Sequence, residues 1–113
     1  MKTVKKLKVE ELHSFPEKLR GLLYTKPNEY TYAFYNCNSV HTHGMKHKLD
    51  IAFIDAEGRV IQVCNRVPSG LKIKCKKATV TLERFSEMHR AGWIKKGDFV
   101  ELQENEHYYV LTI

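Results

Sequence analysis

His41, His43, His47, Cys37, Met45 and Cys75 are the side chains of this 113-residue sequence best suited to hold a metal ion or supply a nucleophile. His41 and His43 are two residues apart, so on an extended strand both imidazoles leave the same face. Together with Cys37 and Cys75 they form a candidate donor set, and sulfur with imidazole suits zinc or copper. The competing structural reading is a group of partly buried histidines satisfied by hydrogen bonds. A thiol chemistry is the second possibility, since a histidine such as His41 close to Cys37 or Cys75 would lower the thiol pKa and activate it. Cys64 sits in an apolar run and reads as an inert buried thiol. The sequence holds no Cys-x-x-Cys pair, no glycine-rich phosphate loop and no paired-carboxylate pattern.

Asp50 is the other residue with chemical promise. It lies between Leu49 and Ile51 in a segment that is apolar on both faces, so if buried it must be paired or hydrogen-bonded. It reads either as an anchor for a loop amide or for Arg20, or as a polar contact in a pocket. Lys72, Lys74, Lys76 and Lys77, with Arg66 nearby, make a basic strip. A lysine-blunted strand face accounts for such a strip, and a weak polyanion-binding surface is the functional alternative. Aromatic residues, which single-stranded nucleic acid needs for stacking, are not interleaved with it, so nucleic acid is a disfavoured partner.

The composition bounds the rest. A hydrophobic fraction of 42% and a charged fraction of 28% are those of a globular chain, and the length predicts one domain over residues 1–113. No apolar run approaches the roughly 20 residues that span a bilayer. The basic residues Lys2, Lys5, Lys6 and Lys8 are not followed by a hydrophobic stretch, so no signal peptide is expected and a cytoplasmic location is. Three cysteines are too few for a secreted disulfide framework, which agrees. The net charge of +6 favours solubility and weak attraction to polyanions without defining a site.

The elements that must position these side chains are mostly strands. Thr3, Val4, Leu7 and Val9 predict a first strand, and its lysines suggest an edge. Ser14-Phe15-Pro16-Glu17 reads as the start of a short helix over 16–23, with Leu19, Leu22 and Leu23 on one side. Tyr30–Tyr35 is aromatic and strand-forming, Val40–His43 is a short extended piece, and Leu49–Ile54 is the strongest strand. Asp55-Ala56-Glu57-Gly58 predicts a turn closed by a left-handed glycine, joining Leu49–Ile54 to Val60–Val63 as a hairpin. Further strands are expected over Leu71–Lys77, Ala78–Leu82, Phe99–Leu102 and His107–Ile113, the last two forming a second hairpin. Ser86 to Arg90 reads as one or two helical turns capped by Ser86. The sum is an all-β chain, a β-sandwich or jelly-roll-like barrel with one or two short helices.

Laid out in order, these pieces resemble the domain-of-unknown-function 192 family of uncharacterised conserved bacterial and archaeal proteins. The similarity runs through Lys18-Leu19-Arg20-Gly21-Leu22-Leu23, then Cys37-Asn38-Ser39-Val40-His41-Thr42-His43-Gly44-Met45. It continues through Leu49 to Val60, through Cys75-Lys76-Lys77-Ala78, and ends at Gly92-Trp93-Ile94-Lys95-Lys96-Gly97-Asp98. Lys18 stands where the family favours arginine, Lys48 where it often has proline, and His43 where it has an aromatic ring. The resemblance implies a compact jelly-roll sandwich and no assigned activity. The reading is therefore a small binding or accessory module for a small molecule or a protein partner. Its expected site is a shallow pocket near residues 40–50, with Arg20, Cys37, His41, Thr42, Met45 and Asp50 as candidate contacts. A metal- or thiol-dependent enzyme at the same pocket and a polyanion binder using Lys72–Lys77 stand as alternatives.

Overall fold

The computed structural model describes residues 4–12, 22–23, 25–90, 92–103 and 108–112. Its strands are β1 (Val4–Leu12), β2 (Thr31–Tyr35), β3 (Ser39–His41), β4 (Leu49–Ile54), β5 (Val60–Val67), β6 (Lys72–Lys74), β7 (Val80–Phe85), β8 (Phe99–Gln103) and β9 (Tyr108–Thr112). Seven of them form one sheet in the order β5-β4-β7-β2-β1-β9-β8, and β3 and β6 pair as a separate two-stranded sheet. The fold is almost entirely β and sandwich-like rather than a closed barrel. Its only helical element among the described residues is a 3-10 turn at Ser86–Met88. Among those residues, no helix is long and apolar enough to cross a membrane.

The predicted hairpin forms as read. Asp55 Oδ1 accepts from the backbone N–H groups of Glu57 and Arg59 at 2.9 and 3.0 Å, which holds the turn. Gly58 closes it at φ 87°, a conformation that β-carbons disfavour. A Cβ at this position would also meet the Val100 carbonyl oxygen at 2.7 Å, so glycine is needed for space as well. The second hairpin, β8 with β9, also forms.

β4 and β7 lie at the centre, and every residue of both is buried. Their side chains alternate between two clusters, because successive residues of a strand face opposite ways. Ala52, Ile54, Val80 and Leu82 pack with Ala33, Ile94 and Val100 on one face. Ile51, Phe53 and Phe85 pack with Leu22, Phe34, Met45 and Val67 on the other. The β3–β6 sheet covers this second face through Val40 and Ile73.

Two local expectations are corrected, and a third falls mostly outside the described residues. β1 is not an edge: it pairs with β9 on one side and runs parallel to β2 on the other. Its lysine alternation mimics an edge, but a parallel partner arrives only through a long connection that no local pattern announces. The segment after β7 is shorter than expected, and Ser86 makes no capping hydrogen bond. Its hydroxyl is directed to Asp50 instead. The predicted helix over 16–23 lies outside the described residues except for Leu22 and Leu23, where the chain turns.

Candidate functional site

The polar centre of the molecule is built on Asp50, which sits near the start of β4 and is 4% exposed. β5 is irregular opposite it, with the register slipping between Leu49 and Ile51. Within that bulge Arg66 adopts φ 53°, unusual for a residue with a β-carbon. The bulge turns the Arg66 N–H onto Asp50 Oδ1 at 3.0 Å. Arg84 faces Asp50 directly across the β4–β7 ladder, and its Nε donates to Oδ2 at 2.7 Å. The Ser86 hydroxyl donates to Oδ1 at 2.7 Å. Burial by itself would raise the carboxyl pKa. The Ser86 hydroxyl, the Arg66 N–H and the Arg84 guanidinium outweigh it and hold the group below its ordinary value.

Arg84 is itself buried, and its guanidinium lies 4.8 Å from the centroid of the Trp93 ring. A buried cation beside a carboxylate and an indole face is electrostatically satisfied. Trp93 and His89 are different. Trp93 Nε1 and His89 Nε2 are both shielded from solvent and have no hydrogen-bond partner among the described residues. The indole N–H is a donor, and leaving a buried donor unmet costs about 1–3 kcal/mol. Burial, followed by repulsion from Arg84, pushes the His89 pKa down, and the charges of Asp50 and Glu29 offset only part of this.

These groups line a cavity of about 230 Å³ that also receives Arg66 and Arg90. Three arginines against one aspartate leave its wall with an excess of two positive charges. A wider groove of about 450 Å³ adjoins it, sharing Arg66 and Ser86 and adding Lys46, His47 and Lys48. His47 Nδ1 pairs with Glu87 Oε1 at 2.5 Å on the rim of this groove.

The residues singled out from the sequence do not all come together. Arg20 lies outside the described residues, and the guanidinium paired with Asp50 is that of Arg84, 34 positions away. Thr42 is fully buried and ties the chain locally. Its hydroxyl donates to the Pro68 carbonyl at 2.6 Å and accepts from the Leu71 N–H at 3.0 Å. Met45 and Cys37 pack in the apolar cluster beneath β3–β6, on the face of the large sheet away from Asp50. The Cys37 thiol donates to the Ser39 carbonyl at 3.3 Å, and Cys75 packs in the same cluster. His41 and His43 are exposed, with ring centroids 5.5 Å apart. No three of His, Cys, Asp and Glu converge among the described residues. Sequence reasoning missed Arg84, Ser86, His89, Arg90 and Trp93. The signal that could have found them is the single tryptophan of the chain, standing three residues after a His-Arg pair in a glycine-containing loop.

Comparisons with known proteins bear on the fold and on kinship. The DUF192 family model, described as Uncharacterized ACR, matches residues 1–102. No curated protein matches the sequence. The structure is similar to that of a protein of unknown function from Novosphingobium aromaticivorans DSM 12444, with TM-score 0.69, 20% identity, and 85% of this chain and 75% of that one covered. It is also similar to a candidate transcription regulator from Sinorhizobium meliloti 1021, with TM-score 0.61, 19% identity, and coverage of 74% and 78%. At these identities the likeness speaks for the fold alone.

Proposed function

The chain belongs to the DUF192 family, and from that premise we propose that it is a binding module that takes a small anion, or the anionic end of a larger molecule, into the cavity beside Asp50. The observation that carries this reading is the excess positive charge of the cavity wall, where Arg66, Arg84 and Arg90 meet the single carboxylate of Asp50. Carboxylate, sulfate and phosphate oxygens supply acceptors and match the arginines. The cavity volume is below that of typical small-molecule sites, which suits an end group rather than a whole cofactor.

In this reading Asp50 is a positioning residue. It holds Arg84 in place and fixes the β5 bulge, while its own oxygens are already occupied by donors. Hydrolytic chemistry fits less well. The Ser86 hydroxyl donates straight to Asp50 with no histidine between them, and a carboxylate of depressed pKa is a weak base. The half-buried, unbridged thiols of Cys37, Cys64 and Cys75 are compatible with a reducing compartment, and we place the protein in the cytoplasm on that footing.

Trp93 is the only tryptophan, so its fluorescence reports on this cavity alone. Titration with phosphate, sulfate, acetate and succinate should give a saturable change with at least one of them, weakened by Arg90→Ala. Anion binding should also raise the His89 pKa, read from its imidazole NMR signals. A folded protein whose fluorescence and His89 titration ignore every anion at millimolar concentration would rule the reading out.

A further inference from the structure

The acidic residues are distributed unevenly. Residues 30–49 contain none, and neither do residues 58–82. These two segments carry eight lysines and arginines, whereas the whole chain has a net charge of +6, so the remaining residues sum to −2. The topology then brings the segments together, because β3 comes from the first and β6 from the second. In the register His41 stands opposite Lys72 and Ser39 opposite Lys74. Val40 and Ile73 turn inward onto the core, leaving His41, Lys72 and Lys74 exposed on the outer face. Lys76 and Lys77 are exposed in the turn that follows, and Leu71, at the head of β6, is 44% exposed.

We propose that this outer face of the β3–β6 sheet docks on anionic membrane surfaces, with the lysines meeting the headgroups and Leu71, exposed just before β6, reaching them from the rim of the sheet. The surface lies on the other side of the large sheet from the Asp50 cavity and stands independently of it. Charge complementarity supplies the attraction, since no carboxylate from either segment competes for the lysines. The chemistry of the face favours a lipid surface over nucleic acid. Neither β3 nor β6 carries an arginine, phenylalanine, tyrosine or tryptophan. Bidentate phosphate or base recognition wants arginine, and single strands want aromatic platforms. Lysines are compact point charges that suit a fluid array of headgroups, and each near an anionic surface strengthens partitioning about fivefold. An exposed leucine beside such a strip adds the apolar anchor that charge alone lacks.

Co-sedimentation of the full chain with vesicles tests this. Vesicles rich in phosphatidylserine should carry the protein down at low ionic strength, and pure phosphatidylcholine vesicles should not. Added salt should release it. Lys72→Ala and Lys74→Ala should each weaken binding about fivefold, and Leu71→Ser should weaken it at every salt concentration. All three positions are exposed or lie at a strand end, and unchanged Trp93 fluorescence verifies that the variants fold. Failure to prefer phosphatidylserine overturns the proposal. So does binding to duplex DNA or RNA that displaces the vesicles, or vesicle binding indifferent to Leu71→Ser.

Discussion

Glu83 offers the sharpest test of the physical reasoning. It lies on β7 between Tyr32 of β2 and Ile51 of β4, on the sheet face that carries the Phe34, Phe53 and Phe85 cluster. It is 3% exposed, and its Oε2 has no hydrogen-bond partner among the described residues. Burial raises its pKa from an ordinary 4.5 to about 8. In the folded protein near neutral pH the carboxyl is therefore a neutral acid, whereas in the unfolded chain it is ionised. The folded state then binds one more proton than the unfolded one, so stability falls as pH rises. The loss begins near 4.5, is complete once pH passes about 8, and proceeds at about 1.4 kcal/mol per pH unit. That amounts to about 3 kcal/mol near neutrality and about 5 kcal/mol over the whole window, a large share of the 5–15 kcal/mol that holds a typical domain together. Glu83→Gln keeps the shape and removes the titration. The variant should gain on the wild type steadily from about pH 5 to about pH 8, read by urea unfolding at constant m-value. The glutamine amide brings its own burial cost, but that cost is the same at every pH, so the slope of the difference is the readout. His89, whose folded pKa is lowered, works in the opposite direction: its contribution is lost as pH falls through the imidazole range. It is present in both proteins and cancels in the difference. Parallel curves would refute the argument, because the Glu83 carboxyl would then carry the same charge folded and unfolded.

Two further outcomes follow from the same geometry. Asp50→Ala removes the partner of a buried guanidinium and should destabilise by about 3–5 kcal/mol, measured by urea unfolding. In the wild type the Asp50 contribution is present above its unfolded value of 3.8 and is lost as pH falls below it, so the difference between the two proteins should shrink in acid. Thr42→Val keeps the volume but strips the hydroxyl that serves both the Pro68 carbonyl and the Leu71 N–H, and should cost about 1–3 kcal/mol in thermal or urea unfolding.

Much of the fold was legible locally. Asp55-Ala56-Glu57-Gly58 announces its turn because the aspartate oxygen and the glycine dihedral act within five residues. Leu49–Ile54 reads as doubly covered because it is apolar at nearly every position, and it is buried throughout. The position of β1 was not legible, since lysine alternation is the same on an edge and on a strand whose neighbour comes from elsewhere in the chain. The candidate site was half legible. Asp50 was identified because a carboxylate in an apolar strand demands a partner, but the demand does not say which partner. Both Arg20 and Arg84 are arginines next to apolar residues, and only the β4–β7 register puts Arg84 opposite Asp50.

The chemistry of adjacent residues is enough to say that the chain is all-β, that it turns at Gly58, and that Asp50, if buried, must be paired or hydrogen-bonded. Tertiary structure alone decided which groups surround Asp50. It sent Cys37, Thr42 and Met45 away from that carboxylate and brought Arg84, Ser86, His89 and Trp93 to it. Val40 and Met45 pack on one face of the large sheet while Asp50 points from β4 to the other, so closeness along the chain, which made residues 40–50 look like one site, does not survive pairing.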